Sequence, residues 1–297
     1  LFRFTASVSG CCGTAPASGS RLRLIMSSNP LGEHSPNPSK YDPGILHPIP
    51  RWTARSLLDV ESKVMMYGFD HWRAYELSWL NSKGKPIVAV AELFFDVDSE
   101  NIVESKSLKL YLNSLNQERF PDSKGVAEVI ANDLSVASKS KVRIEIHALD
   151  AQSQHTKTRN SGKLIDSLDV EILSDEPDEG LLKNEGDLIL DETLFTDLFR
   201  SNCPVTGAPD WASVLVRYTG MKINESQLLA YLCSFRHHQG YHEECAERIF
   251  RDIMQRCEPE ELTLTMNYLR RGGIEINVYR SSKPLSGGEL EPRLIRQ

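Results

Sequence analysis

Several features are scarce in these 297 residues, and each shortage excludes something. No stretch approaches the roughly 18 uninterrupted apolar residues that a membrane-spanning helix needs. Neither G-x-G-x-x-G nor G-x-x-x-x-G-K-[ST] occurs, so any nucleotide cofactor is held without a Rossmann turn or a P-loop. Positive charge is short: 34 Lys and Arg stand against 41 Asp and Glu, a formal net charge of -7. That argues against a duplex-binding protein whose affinity comes from phosphate neutralisation. Cysteines number six. Cys203, Cys233, Cys245 and Cys257 fall in the last third without secreted-scaffold spacing, and free thiols in a reducing compartment are the simplest reading.

What is present is ordinary for a globular chain: 40% hydrophobic and 25% charged residues. The length allows one large domain or two moderate ones. Residues 1–25 carry Arg3, Arg21 and Arg23 and no acid, a bias that resembles a transit peptide. The simpler reading starts the protein at Met26. Residues 1–45 are expected to form an extended or disordered arm.

The body of the chain repeats. In ESKSLKLYLNSLNQ, Leu108, Tyr111, Leu112 and Leu115 form one apolar helical stripe. Leu228, Tyr231, Leu232 and Phe235 repeat it 120 residues on, behind Asn224 as a helix N-cap. A second helix follows in each half, with Val126, Val129 and Ile130 expected to match Ala246, Ile249 and Phe250. Alternating strands come next, KVRIEIHAL and ELTLTMNYL, and closing strands near SLDVEIL and GIEINVYR. The expectation is α+β: two modules of order β-β-α-α-β-β, at 46–175 and 189–297, each an antiparallel sheet with two helices on one face. The acidic run at 176–188 reads as a solvated linker.

At a constant offset of 120 the polar residues do not repeat. Cys203 faces Lys83, Asp210 faces Val90, and Asp122-Ser123 replace His242-Glu243. Chemistry divided between halves points to one composite site. Cys203, in SNCPVTGAPDW, is either a nucleophilic thiol or a small buried hydrophobe. Asp210 is suited to proton transfer. His242 and Glu243 open a helix, so Glu243 either caps it or accepts N–H donors from a purine-like edge, with His242 handling a proton. Ser105 and Lys106 at another helix start suit a phosphate, or form an ordinary first turn. Arg271-Gly272-Gly273 reads as a hairpin turn with Arg271 placed to grip a phosphate. Cys233, His237, His238, His242 and Cys245 allow a zinc reading, though in a spacing that is not a strong zinc pattern.

ESKSLKLY (104–111), SNCPVTGAPDW (201–211), SFRHHQGYHEEC (234–245) and YLRRGGIEIN (268–277) together resemble the long, two-module form of the QueF nitrile reductases, the NADPH-dependent 7-cyano-7-deazaguanine reductases. The resemblance spans roughly residues 40–297. It implies tandem tunnelling-fold (T-fold) modules and a four-electron reduction of a nitrile to a primary amine with two NADPH, on the path to queuosine in tRNA. It implies a free deazapurine base as substrate, no direct nucleic-acid or membrane partner, a cytoplasmic location and a homodimer. By resemblance, Cys203 is the nucleophile and Asp210 the proton donor, and His242 assists proton transfer. Val103, Glu104, Ser105, His242 and Glu243 contact substrate. Ser105, Lys106, Arg271 and Gly272 bind NADPH, and no metal is implied. Two competing readings are a zinc-dependent T-fold cyclohydrolase acting on a purine or pterin, and an inactive T-fold binder.

Overall fold

In the computed structural model the described residues are 37–58, 65–149, 161–172, 174, 176–285, 290 and 292–297. The arm through residue 36 and most of the polar join at 151–163 lie outside them. Ten strands and five α-helices occur in chain order among these residues. β1 (Pro48–Pro50) pairs with β4 (Asn101–Val103) in a two-stranded sheet. β2 (Tyr67–Leu80), β3 (Pro86–Asp96) and β5 (Arg143–Ala148) belong to the first half. β7 (Asn184–Asn202), β8 (Pro209–Ile223), β9 (Glu261–Tyr268) and β10 (Ile274–Ser281) belong to the second, with β6 (Lys163–Leu164) between. They form one sheet in the order β5-β3-β2-β10-β9-β8-β7-β6. The halves meet where β2 and β10 pair antiparallel from Tyr67–Ser281 to Ala74–Ile274.

The helices are α1 (Arg51–Leu57), α2 (Ser105–Ser114), α3 (Ser123–Ser138), α4 (Glu225–Ser234) and α5 (His242–Cys257). Both expected stripes are buried: Leu108, Tyr111, Leu112 and Leu115, and Leu228, Tyr231, Leu232 and Phe235, join one continuous core with the sheet. Burial of each such side chain contributes about 1.5–3 kcal/mol. A repeated polar bond sits within this packing. Tyr111 Oη donates to Asp133 at 2.6 Å, and Tyr231 Oη donates to Asp252 at 2.6 Å. Buried hydroxyls need such partners.

The architecture is the tandem α+β arrangement that the repeat predicts, with three corrections. First, module one has no closing strand over the described part of SLDVEIL. Just before it, β6 lies at the edge of the sheet opposite β5 and pairs parallel with Leu194 and Phe195. Ile165 N–H donates to Phe195 O at 3.0 Å, and Ile165, Leu168 and Val170 pack on the core. The apolar alternation serves that covering role. Second, the acidic run is not wholly solvated. Glu179 pairs with Arg256 at 2.6 Å and Arg251 at 3.7 Å, Leu182 is buried, and β7 already begins at Asn184. Third, the repeat slips. α2 and α4 are offset by 120 (225 − 105), but α3 and α5 by 119 (242 − 123), because the linking loop is one residue shorter in module two. The Tyr–Asp pairs carry the same slip.

The end of the arm is ordered against the body. Tyr41 Oη donates to Asp133 at 2.7 Å, and Asp42 caps a short turn at Pro43–Ile45.

Candidate active site between the modules

A pocket of about 270 Å³ opens where α2 of module one faces α5 and the β7–β8 loop of module two. Val103, Glu104, Ser105, Lys106, Cys203, Asp210, His242, Glu243, Arg271 and Gly272 all line it. Ten residues spread over 170 positions of sequence therefore converge on one cavity. Trp72, Leu269, Ile274 and Ile276 provide apolar wall.

Cys203 begins the loop after β7 and is half-buried. Its N–H donates to Ala208 O, and Gly207 N–H donates back to Cys203 O, each at 2.8 Å. Gly207 sits at φ 68, where a side chain would be strained, so glycine allows the loop to close this tightly. Asp210 follows at the start of β8 and is only 3% exposed. One carboxylate oxygen is paired directly with Arg271, and the other lies 3.4 Å from His242 Nε2. Burial alone would raise this carboxyl, but the hydrogen bond and charge of His242 and the guanidinium of Arg271 outweigh it. Asp210 is held below the ordinary carboxylate range. The His242 ring stacks on Tyr268 with centroids 3.9 Å apart.

The two readings of Glu243 are separated by its neighbour. Glu244, not Glu243, returns to the helix start, accepting from Tyr241 N–H at 3.1 Å. Glu243 is buried and lines the pocket, and its carboxylate is bonded by its own backbone N–H rather than by another described residue. Burial and the charge of Asp70 push it up to about 7, against the pull of His242 and Arg51. A buried carboxylate with so few donors is costly unless a ligand supplies more. Behind it lies a buried ionic network. Arg280 bridges Asp70 at 2.8 Å and Glu247 at 3.0 Å, and Arg51 and Arg55 reach the same carboxylates. The network joins α1, β2, α5 and β10, so it pins the helix that presents His242 and Glu243.

Glu104 departs from the simple expectation. Its carboxylate caps α2, accepting from Lys106 N–H at 3.0 Å and Ser107 N–H at 2.8 Å. Those N–H groups are therefore taken and are not open to a phosphate. Three cations line the mouth: Lys106, Arg271, which is paired with Asp210, and Lys109, which lies 3.6 Å from Glu76 and was not among the expected site residues. Lys109 lies three residues after Lys106 and so shares its helix face, a signal that was present. A Cβ on Gly272 would lie 3.0 Å from Lys109 Nζ, so glycine keeps this cradle open.

The zinc reading finds no donor set: no cluster of three or more His, Cys, Asp or Glu suited to a metal occurs among the described residues. Burial raises Cys245 to about 12, away from the thiolate that zinc requires. Nor is any helix among these residues long and apolar enough to cross a membrane.

Comparison with known proteins agrees with this geometry. A family model described as "Nitrile reductase, 7-cyano-7-deazaguanine-reductase N-term" matches residues 37–146, and one described as "QueF-like protein" matches residues 209–285. A protein of Bordetella pertussis named NADPH-dependent 7-cyano-7-deazaguanine reductase is 48% identical over 259 residues, covering 87% of this chain and 95% of the relative. One of the same name from Coxiella burnetii is 44% identical over 269 residues, covering 89% and 95%. A crystal structure of apo archaeosine synthase QueF-Like aligns at 21% identity with a TM-score of 0.29, over 34% of this chain and 99% of that one, and carries no weight here. Two family models in tandem and relatives matched over nearly their whole length place this chain in the QueF family of NADPH-dependent 7-cyano-7-deazaguanine reductases.

Proposed function

We propose that this chain reduces the nitrile of 7-cyano-7-deazaguanine to the primary amine, consuming two NADPH, and so feeds queuosine synthesis. The observation that carries the reading is the gathering of a half-buried thiol, an Asp–His pair and a buried carboxylate bonded only by its own backbone in one pocket. Glu243 accepts the N–H and amino donors of the guanine-like edge, and its charge is then compensated by the ligand. Trp72 and the aliphatic wall shield the ring. Val103, Ser105 and the remaining lone pairs of Glu104 complete the opposite side.

Asp210 rests as a carboxylate, so it first takes the proton of Cys203. The thiolate adds to the nitrile carbon, and the π electrons move to nitrogen. Asp210 returns the proton there, and a covalent thioimide results. When bound, NADPH supplies hydride, once to the thioimide and once to the imine left after the thiolate departs. The cations Lys106, Lys109 and Arg271 beside Gly272 fit its phosphates. His242 passes protons to the developing amine nitrogen. The substrate is the free base rather than nucleic acid, in keeping with the net charge of -7. The protein acts in the cytoplasm as a homodimer, which would cover the open edge at β5.

Stoichiometry tests this function. Two NADPH oxidised per amine formed is the expected result. Purified protein that binds the base but consumes no NADPH would leave only the inactive-binder reading.

A further inference from the structure

The resemblance places Arg271 on NADPH, yet its guanidinium is paired with Asp210. The pairing is built rather than incidental. Arg271 closes a two-residue turn, with Arg271 N–H donating to Ile274 O at 2.9 Å and Ile274 N–H donating to Arg271 O at 3.1 Å. Gly272 and Gly273 both have positive φ, as such tight turns require. Arg271 is 44% exposed at the mouth, whereas Asp210 is sealed beneath it at 3%.

We infer that Arg271 is a positioning residue for the step that uses no NADPH: it holds Asp210 as the carboxylate that takes the proton from Cys203. The inference rests on the function proposed above. The proton moves from Cys203 Sγ to Asp210 and then to the nitrile nitrogen as the S–C bond forms, so atoms and charge balance without a co-reactant. Every element packed around Asp210 contributes a charged or titratable group. Cys203 comes from the β7–β8 loop, His242 and Cys245 from α5, Tyr268 from β9 and Arg271 from the turn. Of these, Cys245 and Tyr268 are held neutral by burial, and His242 is a cation only when protonated. Arg271 is the permanent cation on this carboxylate. Without it, the pull against burial rests on His242 alone, and the carboxyl moves towards the protonated acid.

The test is the rate of thioimide formation with 7-cyano-7-deazaguanine and no NADPH, followed between about pH 3 and 8 so that the acid limb of a carboxyl lies inside the window. The parent is compared with Arg271→Gln and Arg271→Lys. The expected result is an acid limb that moves up by about one pH unit in Arg271→Gln, roughly tenfold in rate along that limb, and returns towards the parent in Arg271→Lys. An Arg271→Gln protein that forms the adduct with the parent's pH profile overturns the inference and leaves the function standing. A parent that binds the base and forms no adduct at any pH overturns the function itself, and this inference with it.

Discussion

The loops that join the first two strands of each module occupy equivalent places and do different work. In module one, Leu80 pairs with Pro86 across Asn81–Lys85. In module two, Asn202 pairs with Pro209 across Cys203–Ala208. Each strand end also bridges to the stretch after the first helix, Leu80 to Arg119 and Asn202 to Gln239. The position of Cys203 thus corresponds to Asn81, and that of Asp210 to Ile87. Asn81 spends its side chain on its own loop, accepting from Lys83 N–H at 2.9 Å and Lys85 N–H at 3.0 Å. Cys203 leaves loop closure to the backbone and to Gly207, and its thiol faces the pocket. The second helices differ in the same way. Asp122 caps α3 by accepting from Gly125 N–H, whereas α5 opens with His242 and Glu243 on the cavity. At these two places module one uses its polar side chains to finish its own structure, whereas module two turns them to the cavity.

This contrast is broken most severely at the thiol. Cys203→Ala should abolish adduct and turnover while leaving the thermal midpoint near the parent's; retained turnover in steady-state assays would contradict the assigned role. Next in size is the network behind α5. Arg280→Met leaves Asp70 and Glu247 buried with less compensation and should cost about 3–5 kcal/mol in urea unfolding. Burial pushes Glu247 up, but Arg55, Arg280 and Arg51 outweigh it and hold the folded value at about 2, below the ordinary 4.5. The stability it contributes is therefore present above pH 4.5 and lost as pH falls towards 2. An acid-unfolding curve for Arg280→Met with unchanged amplitude over that window would sink the assignment.

Glu243→Gln should weaken binding of the deazapurine about a hundredfold. It should also stabilise the ligand-free protein in alkali. The folded value of Glu243 is raised from 4.5 to about 7, so its stabilising effect is present below pH 4.5 and lost as pH rises through 7. The amide removes that loss, and the midpoint at about pH 8 should rise by about 2–6 °C by calorimetry. A lowered midpoint would mean that Glu243 has a structural partner. The smallest effect belongs to module one. Asn81→Ala should cost about 1 kcal/mol in stability and leave base affinity intact by titration calorimetry.

The periodicity of apolar residues made both helical stripes, most strands and the repeat itself readable, because burial of one face is what spacing records. Four motifs carried nine of the ten expected site residues, all but Val103, and the fold brings all ten to one cavity. Spacing did not reveal register. The one-residue slip between α3 and α5 misaligned His242-Glu243 with Asp122-Ser123, when the true counterparts are Ser123-Lys124. The closing strand of module one failed because alternation records one covered face, not the element that covers it. Long-range ion pairs left no local trace: Arg51 and Glu247 are 196 residues apart, and Arg271 and Asp210 are 61.

The most direct test of a composite, cysteine-centred site is the intact mass of the protein after mixing with 7-cyano-7-deazaguanine in the absence of NADPH, beside Cys203→Ala. A gain of one ligand mass in the parent alone is the predicted result. Equal gain in both proteins, or no gain in a parent shown to bind the base, would contradict the account.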